Sequence, residues 1–227
     1  MTNKGSIIVI DGLDGSGKTT QFEIIKNTLS EQNMTVKAIS FPDYEQPSST
    51  LVKMYLKGEF SKKPEDINAY AASSFYAVDR YASFKLFWEE NYNNGELILA
   101  SRYVSSNAIH QMVKLEKALW DDYLKWLEEY EYEKLGIPRP NIVIFLDMPV
   151  SISQKLMLDR YLGDQSKKDI HEANVSYLEE CRSSALYAAK KLGWIIIECS
   201  KNNQPKSVNE ISDDIMNTIN SFLGKER

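Results

Sequence analysis

Residues 11–20, DGLDGSGKTT, constrain this chain more than any other stretch. Gly12, Gly17, Lys18 and Thr19 match the spacing G-x-x-x-x-G-K-[ST]. IIVI at 7–10 reads as a buried strand before the motif, and the pattern over 19–32 reads as an amphipathic helix after it. A strand, a glycine-rich loop and a helix in that order make an anion cradle. The glycines let backbone N–H groups converge, and the helix N-terminus adds partial positive charge. The expected nucleotide-binding residues are Gly12, Leu13, Asp14, Gly15, Ser16, Gly17, Lys18, Thr19 and Thr20. Lys18 is placed to reach the β- and γ-phosphates, and Thr19 to put its hydroxyl on Mg²⁺.

Four more apolar, β-branched-rich segments follow at 35–41, 96–101, 141–147 and 194–200, and the first extends over 6–11. Each is apolar on both faces, as strands of a covered parallel sheet are. Helical patterns lie at 19–32, 66–92, 114–134, 150–161, 172–192 and 207–223. This alternation predicts an α/β fold of the P-loop NTPase type: three layers, α/β/α, around a five-stranded parallel sheet. A single domain over 1–227 is expected, since 227 residues, 43% of them hydrophobic, bury one sizeable core. The polar run GDQSKK at 163–168 is the candidate for a small lid, roughly 160–172.

Bulk properties exclude several classes. A net charge of −5 argues against a nucleic-acid partner. No 18-residue apolar run or signal peptide is present, so no membrane partner is expected. Cys181 and Cys199 make no disulfide framework, and His110 and His171 stand far apart, so a zinc site is not expected. A soluble cytoplasmic chain with reduced thiols fits. A regulatory GTPase would carry Asn-Lys-x-Asp late in the chain; the late loop here is CSKNNQP, which makes ATP the default donor.

In an open α/β sheet, ligands collect at the carboxyl ends of the strands. FPDY (41–44) follows the second strand, SRYVSSN (101–107) the third, and SFYAVDRYASF (74–84) lies on the helix between them. Tyr76 and Arg80 are four apart, so they share a helix face. A ring beside a guanidinium suits a planar base, while Phe75 and Phe84 are better explained as core. Arg102, at the mouth of an apolar strand, is expensive unless it meets an anion.

GLDGSGKTT, FPDY, FYAVDR and SRYVSSNAIHQ, in that order, together with LDMP (146–149) and the polar lid segment, resemble the thymidylate kinases, a family of P-loop nucleoside monophosphate kinases. The resemblance spans almost the whole chain. It implies ATP + dTMP → ADP + dTDP with Mg²⁺, in a homodimer. By this resemblance Tyr76, where phenylalanine is usual, stacks on thymine, Arg80 contacts the base carbonyl, and Arg102 holds the 5′-phosphate. Phe41 and Tyr44 line the sugar–phosphate end. Asn107 reaches the thymine edge, with Ser106 beside it. Asp14 lies near the acceptor sugar and phosphate, and Gln111 orients its neighbours.

Three positions depart from the family pattern. Ser101 stands where an aspartate usually precedes the Arg-Tyr pair and helps place Mg²⁺; Asp11, Asp14 or Glu172 could substitute, or the serine could act through water. His110 replaces a tyrosine that crowds the sugar 2′ position. Gly15 occupies a site where some relatives carry arginine, which leaves Lys167 and Lys168, with Arg160 at the lid's base, as donor-side cations. Lysine neutralises charge without clamping two oxygens. The nucleophile is a phosphate oxygen, so no general base is needed. Alternatives are a deoxynucleoside kinase with Asp11 as base, a monophosphate kinase for another base, or a non-catalytic ATP-binding regulator. A P-loop motor or helicase fits poorly.

Overall fold

The computed structural model describes residues 4–61, 63, 66–160 and 175–225. In chain order its elements are β1 (Ile7–Gly12), α1 (Lys18–Glu31), β2 (Val36–Ser40), α2 (Thr50–Leu56), α3 (Ala69–Ser83), α4 (Glu89–Asn93), β3 (Leu97–Ser101) and α5 (Ser105–His110). Then come α6 (Trp120–Glu128), β4 (Ile142–Asp147), α7 (Val150–Arg160), α8 (Val175–Leu192), β5 (Ile195–Glu198), the short pair β6 (Ser200–Lys201) and β7 (Gln204–Pro205), and α9 (Val208–Lys225). Strands β1 to β5 form one parallel sheet in the order β2-β3-β1-β4-β5. This is the α/β P-loop architecture expected from the alternating pattern.

The double-sided apolar strands explain the layering. Side chains alternate across a strand, so Ile7 and Val9 enter one core while Ile8 and Ile10 enter the other. The first core gathers Phe84, Trp88, Tyr103, Tyr123 and Leu127 from the α3–α6 side. The second gathers Phe22, Ile25 and Leu29 of α1 with Ile211, Ile215 and Ile219 of α9. All four β1 isoleucine and valine side chains have no exposed surface, each worth roughly 1.5–3 kcal/mol of burial. The loops that follow β1, β2 and β3 converge on the carboxyl rim of the sheet, and the site lies there.

The helices differ from expectation in detail. The segment read as one helix over 66–92 is α3 and α4 joined by a π-helical turn, Phe84–Trp88. Asn68 caps α3, accepting a 2.8 Å bond from the Ala71 N–H. The segment read as helix over 114–134 begins only at Trp120, after two 3₁₀ turns, and ends in a second π-helical turn, Glu129–Lys134. Helices α2 and α5 and the β6–β7 hairpin were not expected. All are short, and a pattern of two to seven residues carries little periodicity. Phe84 is core, as expected, whereas Phe75 is half-buried against Tyr55 and Phe60 at the surface.

Candidate functional site

Two cavities open on the carboxyl rim. An inner pocket of about 120 Å³ is lined by Tyr76 and Arg80 of α3, Ser106, Asn107 and His110 of α5, Gln111, Leu56, and the shared wall described next. An outer cleft of about 760 Å³ runs along the loop after β1, from Asp14 to Gln21, and continues past Ser101, Met148 and Met157 to Lys206, Ser207 and Val208. Asp14, Phe41, Pro42, Tyr44 and Arg102 line both. The two spaces therefore meet, and Arg102 stands at the junction.

The loop holds a positive centre at low solvent exposure. Gly17 caps α1 with φ 87°, in the left-handed region that favours glycine. Lys18 is 8% exposed; its ammonium donates to the Leu13 carbonyl at 2.7 Å and lies 3.7 Å from Asp14 Oδ1. Burial, and then the neighbouring Arg102 charge, push its pKa down to about 8. Thr19 and Thr20 are exposed on the cleft wall. Gly12 and Leu13 do not line the cleft, contrary to expectation. Gly12 is closed in by Ser16 Oγ and the Leu146 carbonyl, 2.7 and 2.9 Å from where a Cβ would sit. Leu13 packs into a third core with Ile109 and Phe145.

Arg102 adopts φ 64°, a left-handed conformation that costs a non-glycine residue roughly 1–2 kcal/mol. Its amide donates to the Ile10 carbonyl at 3.0 Å. Its guanidinium bonds Asp14, lies 3.7 Å from Asp11, and stands 3.1 Å from His110 Nε2. A guanidinium only donates, so that last contact needs an unprotonated Nε2. Burial works to lower the Arg102 pKa, but Asp14 and Asp11 outweigh it and raise it. The expected anion is thus met first by two carboxylates.

Asp11 is not the spare metal carboxylate considered from the sequence. It has no exposed surface, and it accepts bonds from Ser105 Oγ (2.6 Å), Ser106 Oγ (2.8 Å) and the Gly12 N–H (2.8 Å). Asp14, a quarter exposed, is the carboxylate that reaches both cavities. The hydroxyls of Thr19 and Ser101 belong to residues lining the outer cleft with Asp14. Such hard oxygen donors suit a Mg²⁺ that keeps several waters and takes phosphate oxygens. Among the described residues no group of three His, Cys, Asp or Glu side chains could hold a metal.

In the inner pocket Tyr76 packs edge-on to Tyr55 at 6.4 Å, and burial and then Tyr55 push its hydroxyl pKa up. Arg80 makes an ion pair, but a buried one. It is 1% exposed and grips Glu131, fully buried, through Nε (2.7 Å) and Nη2 (2.5 Å), with Nη1 3.3 Å from the Tyr103 carbonyl. Asn107 donates to the same carboxylate at 3.0 Å. Asp79, also fully buried, accepts from the Asp43 N–H (2.9 Å) and Ser48 Oγ (2.6 Å), tying the loop that carries Phe41 and Tyr44 to α3. Sequence reasoning missed Glu131 and Asp79. The signal for Asp79 was its place beside Arg80; Glu131 left none.

Gly15, at φ 76°, would put a Cβ 2.9 Å from both the Ser153 carbonyl and Met157 Cγ of α7. The backbone and α7 together exclude an arginine there. Lys167, Lys168, His171 and Glu172 lie outside the described residues, as does most of the expected lid; Arg160 ends α7.

The thymidylate kinase family model matches residues 10–211. Thymidylate kinase of Mycobacterium tuberculosis is 25% identical over 194 residues, covering 83% of this chain and 87% of its own length. A probable thymidylate kinase of Pyrococcus abyssi is 26% identical over 220 residues, covering 97% and 98%. The solved structure of thymidylate kinase from Candida albicans superposes with a TM-score of 0.69 at 21% identity, covering 96% of this chain and 92% of that one, and supports the fold. The loop, the junction arginine and the residues lining both cavities all lie within the matched span, and the chain belongs to the thymidylate kinase family.

Proposed function

We propose that this chain transfers a phosphoryl group from ATP to dTMP, giving ADP and dTDP. One observation carries the reading: Arg102, Asp14, Phe41, Pro42 and Tyr44 line both cavities. A donor on the loop and an acceptor in the inner pocket then meet phosphate to phosphate at Arg102. The base lies against Tyr76, with Arg80, Asn107 and Gln111 at its edge. Phe41, Tyr44, Ser106 and His110 surround the sugar and phosphate. The acceptor phosphate, with a second pKa near 6, is already mostly deprotonated at neutral pH and needs no base. Catalysis rests on alignment and on neutralising two polyanions. Lys18 and Arg102 supply fixed cations. Arg102 exchanges its carboxylate partners for phosphate as the acceptor arrives. Mg²⁺, when bound, neutralises phosphate charge, and the Thr19 hydroxyl would hold it, with Ser101 nearby. Lys167, Lys168 and Arg160 are the proposed donor-side cations, because Gly15 admits none.

The buried, triply bonded Asp11 argues against a deoxynucleoside kinase, which would want that carboxylate beside a 5′-hydroxyl. The reading extends to a homodimer, supported by Val78, Tyr81, Leu86 and Phe87, apolar and exposed on and just after α3. It also extends to a reducing cytoplasmic setting, supported by the unbridged, buried Cys181 and Cys199. An ADP-release assay offering dTMP and thymidine side by side with ATP tests it. Turnover with dTMP and none with thymidine is expected; nucleotide binding without any diphosphate product would overturn the proposal.

A further inference from the structure

We infer that Glu131, which belongs to no motif of the sequence, decides which pyrimidine edge the inner pocket accepts; the inference rests on the dTMP reading above. Asn107 uses its amide nitrogen twice, to Glu131 Oε1 at 3.0 Å and to the Ser73 carbonyl at 3.2 Å. Both partners are oxygens that only accept. The NH₂ end is therefore the only end that can face them, and rotating the amide would set oxygen against two oxygens. That leaves Asn107 Oδ1, an acceptor, for the pocket that the residue lines.

The same carboxylate orients Arg80. Its Nε and Nη2 lie on Glu131 and its Nη1 on the Tyr103 carbonyl. Three of the five guanidinium N–H groups are engaged there, and two remain on a residue that lines the same pocket. The wall thus offers an acceptor beside donors. Thymine presents the complement: an N3–H donor next to a C4 carbonyl. Cytosine presents the reverse, an N3 acceptor next to an exocyclic amine. Gln111 behaves differently. Its Oε1 is buried without a hydrogen-bond partner among the described residues. Glu131 is fully buried and sits in the π-helical turn after α6. It is a positioning residue that acts through Asn107 and Arg80.

The test is kcat/KM for dTMP and for dCMP in the full-length enzyme, Glu131→Gln and Glu131→Asp. The first variant replaces one carboxylate oxygen with an NH₂ donor, so that residue 131 can no longer accept from Arg80 Nε, Arg80 Nη2 and Asn107 together. The second keeps the buried negative charge but shortens its reach to both Arg80 and Asn107, which share Oε1, and so guards against a variant that fails to fold. The wild type should prefer dTMP by about a hundredfold or more, and a folded variant should narrow that preference by about tenfold. The change should come through a raised KM for dTMP with no matching rise for dCMP. A folded variant whose ratio stays within about twofold of wild type, or one that loses both nucleotides in parallel, would overturn the inference while leaving the dTMP reading intact. A wild type that turns over neither nucleotide sinks both. Without any variant, the Asn107 side-chain NH₂ protons should be protected from solvent exchange; rapid exchange would also overturn the inference.

Discussion

Lys18 is held near the point of losing its proton. With the cleft empty its pKa is lowered to about 8, and bound phosphates favour the charged form and raise it again. The bound state then holds more protons than the empty one above pH 8, so ADP affinity should fall as pH rises through 8, approaching tenfold per unit. Calorimetry at pH 8.5 in two buffers of different ionisation heat should detect net proton uptake; none would mean that Lys18 does not meet the phosphates. Arg102 gives a second test. Arg102→Ala and Arg102→Gly should both remove most dTMP turnover and raise its KM. Because residue 102 sits at φ 64°, the glycine variant should be more stable than the alanine one by about 1 kcal/mol in denaturant titration. Some of the residues at this scale were legible: motif spacing pointed to Lys18 and Thr19, and the family resemblance to Tyr76 and Arg102, and all four line the two cavities. The partners were not. Glu131 lies in EYEYEK, where three alternating glutamates give no reason to bury one.

At the scale of elements, the site depends on contacts between neighbours distant in sequence. Gly15 and Gly17 both have positive φ, but only Gly15 is pressed by α7. Gly17→Ala should cost about 1 kcal/mol from backbone strain alone. Gly15→Ala should cost about 2–3 kcal/mol and weaken ATP binding, since α7 must shift to admit the methyl. Comparing the two melting curves checks this; equal losses would mean that α7 does not seal the loop. Asp79 latches the Phe41–Tyr44 loop to α3. Asp79→Ala removes the partner of a half-buried amide and hydroxyl, at a cost of about 1 kcal/mol, and should raise the KM for dTMP while sparing the KM for ATP. The helix ends were read less well than the helix interiors. A π-helical turn changes which side chains face inward without altering the apolar content on which a periodicity argument rests, so the segments 66–92 and 114–134 were seen as simple helices.

For the whole molecule, the two cores clamp the sheet and leave its carboxyl rim as the place where loops from β1, β2 and β3 converge. If the exposed apolar side chains on and just after α3 are a homodimer face, light scattering should give twice the chain mass. Val78→Glu with Leu86→Glu should give a monomer; a wild-type monomer would refute the dimer. The sequence by itself determined the layered α/β plan, because strands apolar on both faces must be covered on both sides. It also determined the phosphate loop, because glycine spacing and a helix start are local properties. Only the tertiary structure decided which charges are paired. A buried ion pair such as Arg80–Glu131 joins residues 51 apart in the chain. Its charges lose water on burial, a cost offset by their attraction and by well-placed hydrogen bonds to Glu131, a geometry that no local pattern encodes.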